Sequence, residues 1–273
     1  MRRLINRKPD RHMSMFLALL PFALLVLAYV VGSDIRLTDN PNDKLLPGLQ
    51  SFMDAIQRLA FQADKRTGDY LLWTDTLASL GRLGGGMLVA TLIGALGGVT
   101  IGLIPYMRAG FAPLVAVVSM TPPLALLPIL FIVFGLGEFS KVVLIVIGIA
   151  PFLVRDVALR VEELPSEQLI KAQTLGANSW QLALRVVLPQ TWPRLIDSVR
   201  LSLGPAWLFL IAAEAVASQS GLGYRIFLLR RYLAMDAILP YVAWITLLAY
   251  LLDLALRRMQ GKMFPWFAVE RGR

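Results

Sequence analysis

The stretch KAQTLGANSWQLALRVVLP, Lys171 to Pro189, lies between two long apolar runs. It is too polar to cross a bilayer and too regular in pattern for a loose tail. Just upstream, Pro165 and Ser166 offer a helix start, and Glu167 puts a negative charge in the first turn, where the helix dipole favours it. Leu169, Ile170, Ala172 and Gln173 follow. Gly176 falls where a helix closes in a left-handed cap. Asn178 is placed to cap a second helix, with Gln181 three residues on, as in a capping box. Trp180, Leu182, Ala183, Val186 and Val187 fill that helix, and Pro189 is expected to end it. The stretch predicts helix, glycine corner, helix, with small residues at the corner. Such a corner suits insertion into a groove on a partner. The same pattern also fits an amphipathic hairpin lying on a membrane surface.

The rest of the chain sets the class. Of its 273 residues, 57% are hydrophobic and 16% charged, and mean hydropathy is +0.64. An average soluble domain carries about 25% charged residues, so this is read as an all-α integral membrane protein. Six runs approach the roughly 20 apolar residues that a spanning helix needs: 13–31, 80–104, 111–134, 140–154, 196–217 and 237–256. The first follows Arg2, Arg3, Arg7, Lys8 and Arg11, which also suits a signal peptide. Its apolar stretch is long for one and no A-x-A site follows, so a retained span is expected. The chain has no cysteine, and its one histidine is His12 in the N-terminal tail. Disulfides, cysteine–metal sites, thiol catalysis and histidine-based triads therefore fall away. No GxxxxGK(S/T) loop is present, so ATP binding by this chain is not expected.

Six spans put both termini on one side. With the N-terminus inside, inner segments carry 17 Lys/Arg against eight acids, and outer segments carry 10 against nine. Inner sides of membrane proteins are enriched in Lys and Arg, so the chain reads N-in and C-in. The same asymmetry accounts for the +9 net charge without nucleic acid as a partner. Lys171–Pro189 then lies in the cytoplasm. The long outer loop, 32–79, contains PGLQSFMDAIQRLAFQ, with Leu49, Phe52, Met53, Ile56, Leu59 and Ala60 at helical spacing. That helix lies at the interface, docks a partner, or packs on the spans.

Within the spans, Leu83–Gly86, Gly94, Gly97 and Gly98 form small-residue faces for helix packing. Pro122 and Pro123 remove two backbone donors from the third run. Broken backbone in a membrane is tolerated where it is buried in protein or lines a cavity, and transporters use it near substrate sites. Thr121, Pro122, Pro123 and Leu124 are therefore candidates to line a path. Glu214 stands in LIAAEAVA, where a charge costs at least about 2.5 kcal/mol to insert. It reads as a gate or path residue, or as a hydrogen-bonded structural acid. Arg200, near the inner start of the same run, reads as an anion contact or as a snorkelling anchor.

The chain resembles permease subunits of bacterial ABC importers. The likeness rests on the loop known as EAA, in which a glycine is followed by nine residues, a branched apolar residue, any residue and Leu-Pro. Here Gly176 leads to Val186, Val187, Leu188 and Pro189, and Ala172 matches the second alanine. Ile170 and Lys171 stand where the pattern has Glu and the first Ala. Three further stretches resemble the nitrate/sulfonate/taurine/bicarbonate branch: Thr121–Ile145, Ser198–Ile226 and Leu256–Trp266. Together the matches cover roughly residues 80–266.

The resemblance implies the type I importer permease fold: residues 1–79 add a tail, one helix and a periplasmic loop; 80–258 form a five-helix core with a cytoplasmic loop at 156–195; 259–273 form a tail. It implies a second permease copy, two cytoplasmic ATPase subunits that bind ATP and Mg, and a periplasmic binding protein, all at a bacterial inner membrane. The chain itself would be no enzyme and need no cofactor. Ala172, Leu175, Gly176, Ala177, Asn178, Leu188 and Pro189 would couple to the ATPase, with Lys171 pointing away from its cleft or pairing with an acid on the rim. A path would run past Thr121–Leu124 and Glu214. The cargo would be a small anion such as taurine, an alkanesulfonate, nitrate or bicarbonate. The alternative within the family is an uncharged or cationic metabolite such as a thiamine pyrimidine precursor. A self-contained carrier or channel would be expected to show internal repeats and paired titratable residues in its spans, whereas the sequence offers Glu214 as the single acid there.

Overall fold

The computed structural model describes residues 9–41, 43–65 and 67–267. Arg2, Arg3, Arg7, Lys8, Arg66, Glu270, Arg271 and Arg273, which entered the charge reading, lie outside the described residues. The described residues fold into helices joined by short turns, with no strand among them. They divide into two compact units, Met1–Tyr70 with Leu229–Val242, and Leu71–Leu228 with Ala243–Arg273.

In the first unit, helix α1 spans Arg11–Asp39, beyond the predicted 13–31. Gly32 and Ser33 do not stop it, because the next segment folds back and bonds to its last turns. The Tyr29 hydroxyl donates to the Pro47 carbonyl at 2.7 Å, and Ser33 Oγ donates to the Leu46 carbonyl at 3.0 Å. The expected loop helix is present as α2, Leu49–Ile56, running into a π turn, Gln57–Phe61. Ala55, Leu59 and Ala60 are buried, while Leu49, Met53 and Phe61 are exposed.

The second unit opens with α3, Leu71–Leu103, and α4, Pro105–Met120. A 3-10 turn, Pro123–Leu126, leads into α5, Leu127–Phe134, and α6 follows at Glu138–Glu162. Next come α7, Ser166–Thr174, the short α8, Ser179–Leu182, a second π turn, Ala183–Val187, and α9, Leu188–Val216. Helix α10 is Leu222–Arg230, and α11, Met235–Met263, supplies residues 243–263 to this unit. The loop expected at 32–79 is thus shorter, since α1 runs on to Asp39 and α3 begins at Leu71.

The core is the α3–α6 contact. A Cβ built on Gly86, Gly94, Gly98 or Gly102 would meet Ile145, Leu153, Val157 or Val161, at 2.5 to 2.8 Å. Each four-residue step along α3 is matched by a four-residue step along α6, so the two helices run parallel. Glycine at about every turn from Gly94 to Gly102, with Gly86 two turns earlier, lets the backbones approach, and the β-branched and leucine side chains of α6 fill the groove. Of the LGGG run, Gly86 joins this contact and Leu83 is buried, whereas Gly84 and Gly85 have open space beside them.

Five helices are long and apolar enough to cross a membrane, and α4 with the segment Pro123–Phe134, bent by 83°, is either a broken sixth span or a re-entrant loop. Helices α1, α4, α6, α9 and α11 all continue through internal prolines. The break comes where two prolines are adjacent. Together they deny partners to two carbonyls of the preceding turn, and each disfavours helical geometry in the residue before it. Thr121 and Pro122 accordingly sit at ψ 125° and 114°.

Pro189 does not end the second helix of the hairpin, contrary to the sequence expectation. The π turn intervenes: the Leu188 N–H reaches back five residues to the Ala183 carbonyl. The carbonyls ahead of the proline then find side-chain donors. Gln190 Nε2 bonds the Val186 carbonyl at 2.9 Å, and Thr191 Oγ1 bonds the Val187 carbonyl at 3.0 Å. Pro189 becomes an early residue of α9, where a missing N–H is harmless.

Candidate functional site

Three features hold the predicted site residues. The first is the corner. Gly176 lies at φ +87°, the left-handed region. Its N–H bonds the Gln173 carbonyl at 2.9 Å, and the Ala177 N–H bonds the Ala172 carbonyl at 3.0 Å. This pair of bonds is the Schellman closure of α7. Asn178 Oδ1 then accepts from the Gln181 N–H at 2.8 Å, and Gln181 Oε1 accepts from the Asn178 N–H at 3.1 Å. The reciprocal box starts α8 with no linker to spare. Leu175 is 81% exposed and Trp180 72%, so the corner presents apolar surface to its surroundings. Lys171 is exposed as well. Leu188 and Pro189 are not at the corner. They lie about 15 Å of helix rise beyond the Asn178 cap, where Leu188 helps line an apolar groove of about 740 Å³ with Leu96, Leu103, Leu169 and Trp192.

The second feature is the broken span. Thr121, Pro122 and Leu124 are exposed and Pro123 is half-buried at the bend. The 3-10 turn packs on α6 and α9. Helix α4 buries none of its residues, so one face of this unit is left apolar and uncovered.

The third feature is a buried charge cluster that the sequence reading missed. Asp75, Ser79 and Arg82 recur at helical spacing on α3 and meet the loop between α9 and α10. Three consecutive N–H groups opening α10 point inward: Gly221 to Asp75 Oδ1 at 2.9 Å, Leu222 to Ser79 Oγ at 2.9 Å, and Gly223 to Glu214 Oε2 at 2.8 Å. A helix start leaves such donors without intrahelical acceptors. Here side chains from α3 and α9 supply the acceptors. Glu214, wholly buried, also accepts from Ser79 Oγ at 2.8 Å and Arg82 Nη1 at 2.6 Å. Arg82 turns its Nε and Nη2 onto Glu138, bonds the Ser220 carbonyl at 2.8 Å, and Lys141 Nζ reaches Glu138 Oε1 at 2.8 Å. Arg225 pairs with Asp75 at 2.7 Å. Gly221, at φ +124°, admits no side chain, because a Cβ would lie 2.4 Å from Glu214 Oε1.

Buried ions are tolerated when paired and hydrogen-bonded, and each charge in this cluster faces an opposite one. The view of Glu214 as the single intraspan acid is thereby corrected: Asp75 is equally buried within α3, Asp197 lies in α9 and Asp253 in α11. None of the hydrogen bonds of Glu214 reaches Thr121–Leu124, so the two expected path elements are separate features. Arg200 is no free anchor either: it bonds Asp253 at 2.8 and 3.0 Å and Asp197 at 3.2 Å, fixing α9 to α11. No group of three or more metal-ligating side chains occurs among the described residues.

Parallel glycine-lined spans, a proline-broken helix and a protruding capped corner together describe a membrane permease. The family description "binding-protein-dependent transport system inner membrane component" matches residues 90–268, and the chain belongs to that family, the permeases of ABC importers. It is 34% identical to the taurine transport system permease protein TauC of Escherichia coli (strain K12), over 82% of this chain and 77% of TauC. It is 30% identical to the bicarbonate transport system permease protein CmpB of Synechococcus elongatus (strain ATCC 33912 / PCC 7942 / FACHB-805), over 67% of this chain and 66% of CmpB. Other relatives are named for nitrate import and aliphatic sulfonate transport. A chain of the inward-facing MetNI methionine ABC transporter superposes with a TM-score of 0.63 at 21% identity, covering 72% of this chain and 98% of that one, a likeness of fold.

Proposed function

We propose that this chain is one of two identical permease subunits of a bacterial inner-membrane importer for a small anion of the taurine, alkanesulfonate, nitrate or bicarbonate kind. A periplasmic binding protein delivers the anion, and two cytoplasmic ATPase subunits bind ATP and Mg and drive transport. The Lys/Arg asymmetry supports placing the corner in the cytoplasm. The observation that carries the reading is the corner itself. Ala172, Leu175, Gly176, Ala177 and Asn178 form a rigid, protruding turn with exposed Leu175, and Leu188 and Pro189 anchor it to a span. ATP-driven closure of the ATPase pair moves this turn and so re-orients the spans. The uncovered face of α4 receives the second copy, and Thr121–Leu124 lines the path between the two. Glu214 clamps the far end of α9 rather than touching cargo, in keeping with an acid being a poor contact for an anion.

The test is co-purification from the native host together with a Gly176→Trp variant. The ATPase should travel with tagged wild-type protein, and the variant should lose both ATPase retention and uptake. Absence of any ATPase, with uptake intact in Gly176→Trp, would refute the reading. Titrating the partner binding protein with taurine, methanesulfonate, nitrate and bicarbonate identifies the cargo. Exclusive binding of a neutral or cationic metabolite would turn the assignment to that class.

A further inference from the structure

We propose that Arg82 and Lys141 form an anion-receiving site at the end of the spans remote from the corner, and that Glu138 occupies it in the resting state as a built-in stand-in. The inference rests on the anion reading above and adds a residue-level site to it. A recess of about 420 Å³ opens there, lined by Glu138, Lys141, Ser218, Gln219 and Ser220. That volume is within the range of small-molecule sites, about 300–1,000 Å³. It lies at the first turn of α6 and the last turn of α9. The corner lies in the segment joining the opposite ends of those helices, about 37 Å away along α6. If the corner faces the cytoplasm, the recess is where cargo arrives.

The cluster is asymmetric in a telling way. The Arg82 and Lys141 side chains are 5% and 2% exposed, whereas Glu138 is 64% exposed. Lys141 is therefore built into the wall, Arg82 is buried against the lining residues Glu138 and Ser220, and the exposed carboxylate of Glu138 bonds both. Glu138 is the first residue of α6, the part of a helix least constrained by its own ladder. Its two oxygens take the guanidinium fork of Arg82 and the ammonium of Lys141. A sulfonate, nitrate or bicarbonate offers two oxygens in a comparable arrangement and fits the same donors.

Charge decides which ligand this suits. Asp75 and Arg225 offset each other, and Glu214 offsets Arg82. When Glu138 swings out, one net positive charge remains, matched to a monoanion. Ser220 adds its hydroxyl beside Arg82 Nη2 at 3.2 Å, a further polar group at the rim. With Glu138 back in place the site is neutral and releases what it held, as a transfer station must.

The test uses the assembled permease–ATPase complex in nanodiscs, with methanesulfonate as the probe and no binding protein present. Glu138→Gln removes the stand-in while keeping shape, and should bind methanesulfonate about tenfold more tightly than wild type. Glu138→Gln combined with Lys141→Met should lose that gain, and Glu138→Gln with Lys141→Arg should keep it. Equal affinity in Glu138→Gln and wild type overturns the inference. So does a gain that survives Lys141→Met. Uptake of methanesulfonate, nitrate and bicarbonate by the wild-type complex separates the two levels. If wild type imports one of them and Glu138→Gln binds no better, only the receiving site fails. If wild type imports a neutral compound and none of the anions, the reading beneath it fails.

Discussion

Replacing Glu214 by alanine should destabilise the second unit by about 4 kcal/mol. Removing one partner of a buried pair costs about 3–5 kcal/mol, because the other charge is left behind. Here the lower end applies to Arg82, which keeps Glu138 and the Ser220 carbonyl. The Gly223 N–H loses its acceptor, and an unmatched buried donor costs about 1–3 kcal/mol. Glutamine keeps one acceptor but turns an NH2 toward donors, so Glu214→Gln should cost about 2 kcal/mol. Set against a typical total of about 5–15 kcal/mol, both are large. Denaturant unfolding in mixed micelles reads these differences. Ser79→Ala combined with Glu214→Ala should be less costly than the two separately, because Ser79 donates to the group already removed. Proteolysis within 217–223 should rise in parallel. If Glu214→Ala and Glu214→Gln both unfold within about 1 kcal/mol of wild type, the cluster does not clamp this loop and the reasoning is wrong.

Gly98→Ala should lower the unfolding midpoint by the equivalent of about 1–3 kcal/mol, since the new Cβ meets Val157 Cβ at 2.5 Å and the Val154 carbonyl at 2.9 Å. Gly84→Ala, with open space around it, should be neutral or gain up to about 1 kcal/mol in the same melt. Asn178→Ala removes half of the capping box and should cost about 1 kcal/mol locally, seen as faster amide exchange at Ser179–Leu182. Replacing Pro122 and Pro123 together by alanine restores two donors and should straighten the bend. Spin labels at Leu114 and Ile129 should then move apart toward about 22 Å, the rise of a continuous helix over that separation.

The corner could be read from sequence because its determinants are local: a glycine at a left-handed cap and an Asn–Gln pair three residues apart. The break at Pro122–Pro123 was equally legible, for the same reason. Pro189 misled because a local rule was overridden by its surroundings; the π turn ends at Val187 and leaves Pro189 in the first turn of α9, where a missing N–H is harmless. The charge cluster was out of reach for a different reason. Ser79 and Arg82 meet Glu214 across more than 130 residues of chain, and nothing near LIAAEAVA announces its partners. A trace did exist, since Asp75, Ser79 and Arg82 fall on one helical face at the start of an apolar span. Arg200 and Asp253 illustrate the same limit, each polar residue in a span implying a partner without naming it.

The π turn at Ala183–Val187 also sets a phase. It adds one residue to what would otherwise be an uninterrupted α-helical rod from Ser179 to Val216, and one residue is about 100° of rotation and 1.5 Å of rise. With it, Leu182 before the turn, Val187 at its end, and Leu195 and Ile196 after it are all buried. Deleting a single residue from the turn would leave the corner and the span each intact yet rotate one against the other by more than a quarter of a circle. The register between the two, and not only their identities, is therefore a heritable property of this chain, written in five residues that touch neither cargo nor the far-end charges.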